Sequence, residues 1–379
     1  MGTEFLKIKE CDEAQDIIQD LFDKYCKPES EEIDCEDAYG RVLFNDVYSR
    51  MDFPPFDKAL KDGFAILSED SYGASEESPN TLEIIDFLEA GSITDKVVEK
   101  GKCVEISTGA AMPEGANAVV MVEYSEKFDD KVNLLTTATP SQDVAKKGSD
   151  IEEGNLILKK GDVLNPGKIG VLLSQGFKTI EVYKKPTVGV ISSGNEITMQ
   201  GEDLPFGKIY DVNGNMIKND AVSCGADAKF LGVVRDNYEQ VKEKIQDSLK
   251  DVDILLCSGG TSAGLGDVIK HVLDELGEVH IHGISVQPGK PTIVGVIDEK
   301  LVIGLPGNPV SALMIFNAFV AEPLTRLAGI DKDFELTTVK GKITKRIHSQ
   351  VGRMQYQLVK VDGENIQPIF KDSGAIFSL

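Results

Sequence analysis

Asp253-Ile254-Leu255-Leu256-Cys257-Ser258-Gly259-Gly260-Thr261-Ser262-Ala263-Gly264-Leu265-Gly266-Asp267 sets a short apolar run against a loop holding four glycines. The run from Asp253 to Cys257 reads as a buried strand, and a helix is expected to begin near Asp267. The glycines let the backbone turn tightly and bring its N–H groups close to a bound anion, while the hydroxyls of Ser258, Thr261 and Ser262 add donors. A loop at the carboxyl end of a strand is also where open α/β sheets bind ligands. The spacing fits neither the Walker loop nor G-x-G-x-x-G, and the same letters suit a glycine-rich connection with no ligand.

Outward from this stretch the text alternates between strand and helix. Val188 to Ser192 and Ala228 to Val234 read as strands, and Asn213 to Cys224 and Tyr238 to Leu249 as helices. Such alternation predicts βαβ units and a parallel sheet covered by helices, over roughly 183–327. Leu301 to Gly304 is a further strand. It leads into Leu305-Pro306-Gly307-Asn308-Pro309-Val310-Ser311-Ala312, where Pro309 suits a first helical turn and Asn308 a cap, so that a plain helix start explains it equally well. Gln287-Pro288-Gly289-Lys290-Pro291 holds one lysine in a rigid turn, within reach of a phosphate or simply solvated.

Upstream, Ala14, Ile17, Ile18, Leu21, Phe22 and Tyr25 recur at helical spacing from Glu10 to Tyr25, and Pro28 ends the pattern. From about Asp34 to Lys185, short β-branched runs punctuated by glycine and proline (Thr81 to Ile85, Ala118 to Val122, Val132 to Leu135) predict an antiparallel β region. The Ser- and Glu-rich segment Ser68 to Asn80 reads as a solvated loop. Beyond Gly329, Leu336 to Val339 and Gln355 to Val361 alternate with period two, which predicts a small terminal β domain.

At 379 residues the chain exceeds one ordinary core, so two to four domains are expected. Sixty-three acidic against forty basic residues give a net charge of -23, which repels a phosphate backbone and argues against nucleic acid as a partner. The six cysteines form no C-x-x-C pair and read as reduced thiols. No uninterrupted apolar run reaches the roughly 20 residues that cross a bilayer, and the first ten residues have no signal-peptide apolar region; the expectation is a cytoplasmic protein with no membrane partner.

Three of these segments together resemble the motifs S-G-G-x-S-x-G-x-x-D, P-G-K-P and L-P-G-N-P-V-S of the molybdopterin molybdenumtransferases, in the same order and spacing. Further matches are Ser107-Thr108-Gly109-Ala110, Pro113-Glu114-Gly115-Ala116, Gly148-Ser149-Asp150-Ile151, Ser193-Gly194-Asn195-Glu196, Gly207-Lys208-Ile209-Tyr210-Asp211 with Asn213, and Ser373-Gly374-Ala375. The resemblance runs from about Ala38 to the C-terminus. It implies a multidomain α/β plus β protein: a helical and extended domain (1–47 and 147–182), an inserted β domain (48–146), a three-layer α/β domain (183–327) and a C-terminal β domain (328–379). It also implies a homodimer whose active cleft is shared between subunits.

The resemblance further implies insertion of molybdate or tungstate into adenylylated molybdopterin with release of AMP and with Mg²⁺ as cofactor. Transient contacts with the adenylyltransferase and with molybdoenzymes follow from that role. Carried over by position, Asp62, Asp150, Glu196 and Asp267 match the functional carboxylates, with Glu196 and Asp267 as magnesium ligands. Thr108, Gly109, Ser258, Gly259, Gly260, Thr261, Ser262, Lys290, Pro306, Gly307, Asn308 and Pro309 match the binding loops.

Each carboxylate by itself reads equally well as a solvated surface acid. The family commonly has F-D-x-S-A-M-D-G-Y-A where this chain has Phe56-Asp57-Lys58-Ala59-Leu60-Lys61-Asp62-Gly63-Phe64-Ala65. Ala59 and Lys61 are departures, and Lys61 is expected to pair with Asp62 or to mark an altered substrate. Gln287 stands where many relatives carry lysine. His280 and His282 share one face of a strand and read as ordinary strand residues with no third ligand nearby. The competing function is a scaffold without catalysis, as relatives of this fold serve in animals; a diverged enzyme acting on another nucleotide-linked substrate is the third reading.

Overall fold

The computed structural model describes residues 7–259, 268–330 and 339–370. Its largest sheet has six strands in the order 227–234, 187–193, 254–258, 300–305, 293–297, 278–282. The first four run parallel; Ile293–Ile297 runs antiparallel to Lys300–Leu305, and Glu278–His282 antiparallel to Ile293–Ile297 in turn. Side-chain alternation along Ile254–Ser258 explains the layers: Ile254 and Leu256 enter one apolar core, Leu255 and Cys257 the other.

The second core is closed by the helices Tyr238–Ser248 and Val268–Leu276, through Val241, Ile245, Ile269, Val272 and Leu273. The first is closed by Asn213–Ser223 and by the long helix opening at Pro309, with a π-helical stretch over Phe316–Val320. That helix, Pro309–Leu327, is by length and composition apolar enough to cross a membrane, yet two-thirds of it is buried inside the protein (67%). Its apolarity is therefore explained as core, with Ala312, Ile315, Phe316, Phe319 and Leu324 all in the first core.

Ala14, Ile18, Leu21 and Phe22 of the helix Cys11–Tyr25 also lie in that first core, so this helix packs with the α/β layers although it falls within the expected 1–47 unit. The chain next builds a small unit from two distant segments: Ser30–Asp34 pairs antiparallel with Thr179–Tyr183, and Val47–Tyr48 with Leu156–Leu158. Leu43, Leu164, Leu172 and Val182 form its core.

Between these segments lies a second six-stranded sheet, in the order 118–121, 63–66, 102–106, 80–88, 131–134, 125–128. It differs from the expected antiparallel region at one pair, since Asn80–Leu88 and Lys102–Ile106 run parallel across the connection that joins them. The segment expected as a solvated loop begins with two buried serines: Ser71 Oγ donates to the Ser68 carbonyl at 2.6 Å and accepts from Ala138 N at 2.8 Å. In the C-terminal part, Val359–Asp362 pairs with Asn365–Pro368, which pairs with Lys342–Ile343. Met354–Gln355 leaves that sheet and pairs with Val286–Gln287 of the α/β domain, so the expected single strand over Gln355 to Val361 is two.

Candidate active site

Three loops leave the large sheet side by side at its carboxyl edge, because the register pairs Ser192 with Ser258 and Ser258 with Leu305. The even-numbered positions that point Val190 and Leu256 into the first core bring Ser192 and Ser258 to the same face one step further along, where apolar packing gives way to hydroxyls. Gly259 adopts φ +92, and a Cβ there would fall 2.0 Å from the Ser193 carbonyl, so only glycine lets these two loops touch. A Cβ on Gly307 would reach the Gly259 Cα at 3.7 Å, which places the third loop against the second.

Hydrogen bonds tie the edge together. Asn213, the first residue of the helix Asn213–Ser223, donates from Nδ2 to Ser258 Oγ and to the Gly307 carbonyl, both at 2.7 Å. Gly259 N donates to the Leu305 carbonyl at 3.2 Å, and Ser258 Oγ to the Pro306 carbonyl at 3.4 Å. Buried Asp211 accepts from Gly214 N at 3.1 Å, and Ser193 Oγ donates to Asp236. Among the described residues Ser192 Oγ is buried without a hydrogen-bond partner. Asn213, Asp211, Ser192 and Ser193 carried no assigned role in the sequence; the signal that could have found Asp211 and Asn213 was their place in the Gly207–Asn213 motif.

Of the expected binding residues, Ser258, Gly259, Pro306, Gly307, Asn308 and Pro309 thus come together. Asn308 stands at the N-cap of the Pro309 helix as expected, but its side chain makes no capping hydrogen bond. Lys290 is half-buried in a turn held by its carbonyl accepting from Ile284 N at 2.9 Å. A Cβ on Gly289, at φ +114, would lie 2.4 Å from Ile315, so this turn packs on the same helix that Pro309 opens. Exposed Glu196 folds back on Gly194, whose missing Cβ would sit 2.9 Å from its Oε2. Gly260, Thr261, Ser262 and Asp267 lie outside the described residues, as does the Ser373–Ala375 turn.

A second group forms on the inserted sheet. Thr108 donates to Asp62 Oδ1 from its backbone N at 2.7 Å and from Oγ1 at 2.9 Å. These two bonds hold the Asp62 carboxyl below its ordinary value. Among the described residues no ion pair joins Lys61 to Asp62, and the Thr108 bonds rather than the lysine lower this carboxyl. Gly109 follows at φ +86 and donates to the Ala59 carbonyl at 2.8 Å. Asp150 is exposed in the loop that closes the sheet, its N donating to the Phe53 carbonyl at 3.1 Å. Nearby Asp57 takes bonds from Lys146 Nζ at 2.7 Å and Lys147 N at 2.8 Å, which hold its carboxyl low.

Among the described residues, no hydrogen bond or ion pair joins Asp62, Asp150 or Glu196 to the three loops, and no cluster of three or more His, Cys, Asp or Glu side chains converges to hold a metal. His280 and His282 belong to no such cluster; His280 Nε2 lies 3.7 Å from Glu278. A cavity of about 600 Å³ lies elsewhere, where Glu10, Cys11 and Asp12 meet Ser285, Arg353 and Gln357, and it is lined by none of the expected site residues.

Residues 9–176 match the family model "MoeA N-terminal region (domain I and II)" and residues 189–326 match "Probable molybdopterin binding domain". The molybdopterin molybdenumtransferase of Nostoc is 32% identical over 359 residues, covering 93% of this chain and 82% of that protein. That of Staphylococcus epidermidis is 32% identical over 317 residues, 83% and 76% of the two chains. A crystal structure of the molybdopterin biosynthesis MoeA protein from Pyrococcus horikoshii superposes with a TM-score of 0.84 at 38% identity, covering 98% of this chain and 92% of that one.

Proposed function

The chain belongs to the MoeA family of molybdopterin molybdenumtransferases, enzymes of molybdenum-cofactor biosynthesis, and from that premise we propose that it inserts molybdate or tungstate into adenylylated molybdopterin with release of AMP in the cytoplasm. The observation that carries the reading is the contact of three loop beginnings at the carboxyl edge of the large sheet, around Ser258, Gly259 and Gly307. The hydroxyls there, with the N–H groups expected of the glycine-rich stretch after Gly259, suit the phosphates of a nucleotide-linked substrate. They stabilise the charge that develops on the departing phosphate when the phosphoanhydride breaks. Lys290, on a turn packed against the adjoining helix, supplies a positive charge for the phosphate or the oxyanion.

Mg²⁺ is the cofactor of this proposal, and when bound it supplies a Lewis acid that neutralises phosphate charge. The described residues offer it no three-donor cage. Glu196 and Asp267 are the proposed ligands from the chain, with phosphate oxygens and water completing the oxygen shell that this ion prefers.

Among the described residues no hydrogen bond or ion pair joins Asp62, Thr108 or Asp150 to the loops, which supports a homodimer in which the inserted sheet of one copy faces the loops of the other. Mixing an Asp62→Asn chain with a Glu196→Gln chain tests this: mixed dimers contain one intact cleft and regain activity, whereas a cleft built within one chain leaves the mixture inactive.

The assay for the function is incubation with adenylylated molybdopterin, Mg²⁺ and molybdate. AMP release that depends on the oxyanion is the expected result. AMP release without metal insertion would instead indicate another substrate, and partner binding with neither would indicate a scaffold. Asp267→Asn is expected to abolish insertion at unchanged thermal stability.

A further inference from the structure

We propose that Asn213 is a positioning residue that holds the Ser258 and Gly307 loops in one arrangement and turns the Ser258 hydroxyl toward the ligand; the inference rests on the reading of those loops as the phosphate cradle. Asn213 is 8% exposed, and Nδ2 donates to Ser258 Oγ and to the Gly307 carbonyl, both at 2.7 Å. A carbonyl only accepts, so the bond to Gly307 decides which end of the amide faces the loops. Both Nδ2 hydrogens are then used, and Ser258 Oγ accepts one of them. Among the described residues the serine's own proton meets the Pro306 carbonyl at 3.4 Å, a long contact, and it is the donor that the proposal directs to a ligand oxygen beside Gly259.

The fold has little other use for this amide. The helix start is capped from Asp211, whose carboxylate accepts from Gly214 N at 3.1 Å. The helix is anchored in the core by Ile217 and Ala221, both 0% exposed. Among the described residues Asn213 Oδ1 is buried with no hydrogen-bond partner, so the two loop contacts are what orient the side chain there. A helix cap would need the oxygen; a loop clamp needs the nitrogen, and the nitrogen is what is bonded.

The test uses the full chain and AMP as the probe, with calorimetric affinities for the wild type, Asn213→Ala, Ser258→Ala, the double variant and Ile217→Val. Wild-type chain is expected to bind AMP, and Asn213→Ala to bind it about tenfold more weakly. The double variant is expected to be no weaker than Asn213→Ala, because the asparagine acts through the serine. Ile217→Val, one turn along the same helix, lowers the melting temperature and is expected to bind as wild type. Wild-type affinity in Asn213→Ala, strictly additive losses, or an equal loss in Ile217→Val each overturns the proposal. If wild type itself does not bind AMP, the cradle reading fails and this inference falls with it. Should Asn213→Ala not fold, Asn213→Asp carries the same test, since its carboxylate sets an oxygen against the Gly307 carbonyl and is expected to lose the same affinity.

Discussion

Thr108 puts both of its donors on one oxygen of Asp62, the backbone N at 2.7 Å and Oγ1 at 2.9 Å from Oδ1, so that Oδ2 is left to face outward with no partner among the described residues. Hydrogen bonds to the ionised form favour it, and the Asp62 carboxyl is accordingly held below its ordinary value of 3.8. A depressed carboxyl stabilises the fold above its unfolded pKa and loses that contribution as pH falls through the folded value. Asp62 is thus ionised at any working pH, and the loss of that stabilisation is confined to pH below about 3.8. Thr108→Val keeps the backbone donor and removes the hydroxyl. It is expected to raise the Asp62 pKa toward 3.8 and to weaken AMP release modestly; a carbon-detected titration of the carboxyl that leaves the pKa in place would remove the hydroxyl from its role.

A Cβ on Gly259, at φ +92, would fall 2.0 Å from the Ser193 carbonyl, closer than any β-carbon can sit. Gly259→Ala must therefore both strain the backbone and push two loops apart, at a cost of about 1–3 kcal/mol or more. The expected outcome is a lower melting temperature together with lost AMP affinity. Gly201→Ala, also at positive φ (+90) but with open space around it, carries the strain without the collision and is expected to keep AMP affinity.

The α/β layers were legible in the sequence because buried parallel strands are nearly continuous apolar runs and the helices between them carry a clear period. Strands such as Ile254–Ser258 and Thr187–Ser193 fall within a residue of where the letters put them. Less legible was anything set by distant partners. The parallel pairing of Asn80–Leu88 with Lys102–Ile106 depends on a crossover that no local pattern encodes. Ser68 and Ser71 look like loop residues until Ala138 N supplies the bond that lets Ser71 be buried. The Gln355 to Val361 alternation is genuine, yet its first residues find a better edge at Val286–Gln287 and abandon the strand. At the site, the glycine loops announce themselves, whereas Asp62 and Thr108 lie 46 positions apart and only the family resemblance linked them.

The helix Cys11–Tyr25 gives a direct measure of how the N-terminal segment is built into the α/β domain. Phe22 is 3% exposed within the same core as Leu256 and Phe316. Phe22→Ala is expected to cost about 3–5 kcal/mol, the range for emptying an aromatic core position. Hydrogen exchange would show the loss as faster exchange in Ile254–Ser258 and Lys300–Leu305. Exchange that quickens only around Ser30–Asp34 would instead place this helix with the two-segment unit.

Burial sets the behaviour of the thiols. Cys257 and Cys103 have their pKa pushed up to about 12 by desolvation, against 9.0 in an open chain. For an acid whose folded pKa is raised, the stabilisation is complete below the unfolded pKa and is lost as pH rises through the folded one. The fold is therefore expected to weaken between about pH 9 and about pH 12, as the unfolded chain sheds protons that the native state keeps. Denaturant midpoints should fall from pH 8 to pH 10, and less steeply in a Cys103→Ala, Cys257→Ala variant than in the parent. Because the thiolate is the nucleophile, the same two cysteines should resist alkylation at pH 8 in the native chain and react once it is unfolded. Rapid labelling of Cys257 in the native protein would mean that the strand beside the Ser258 loop opens far more readily than its complete burial allows.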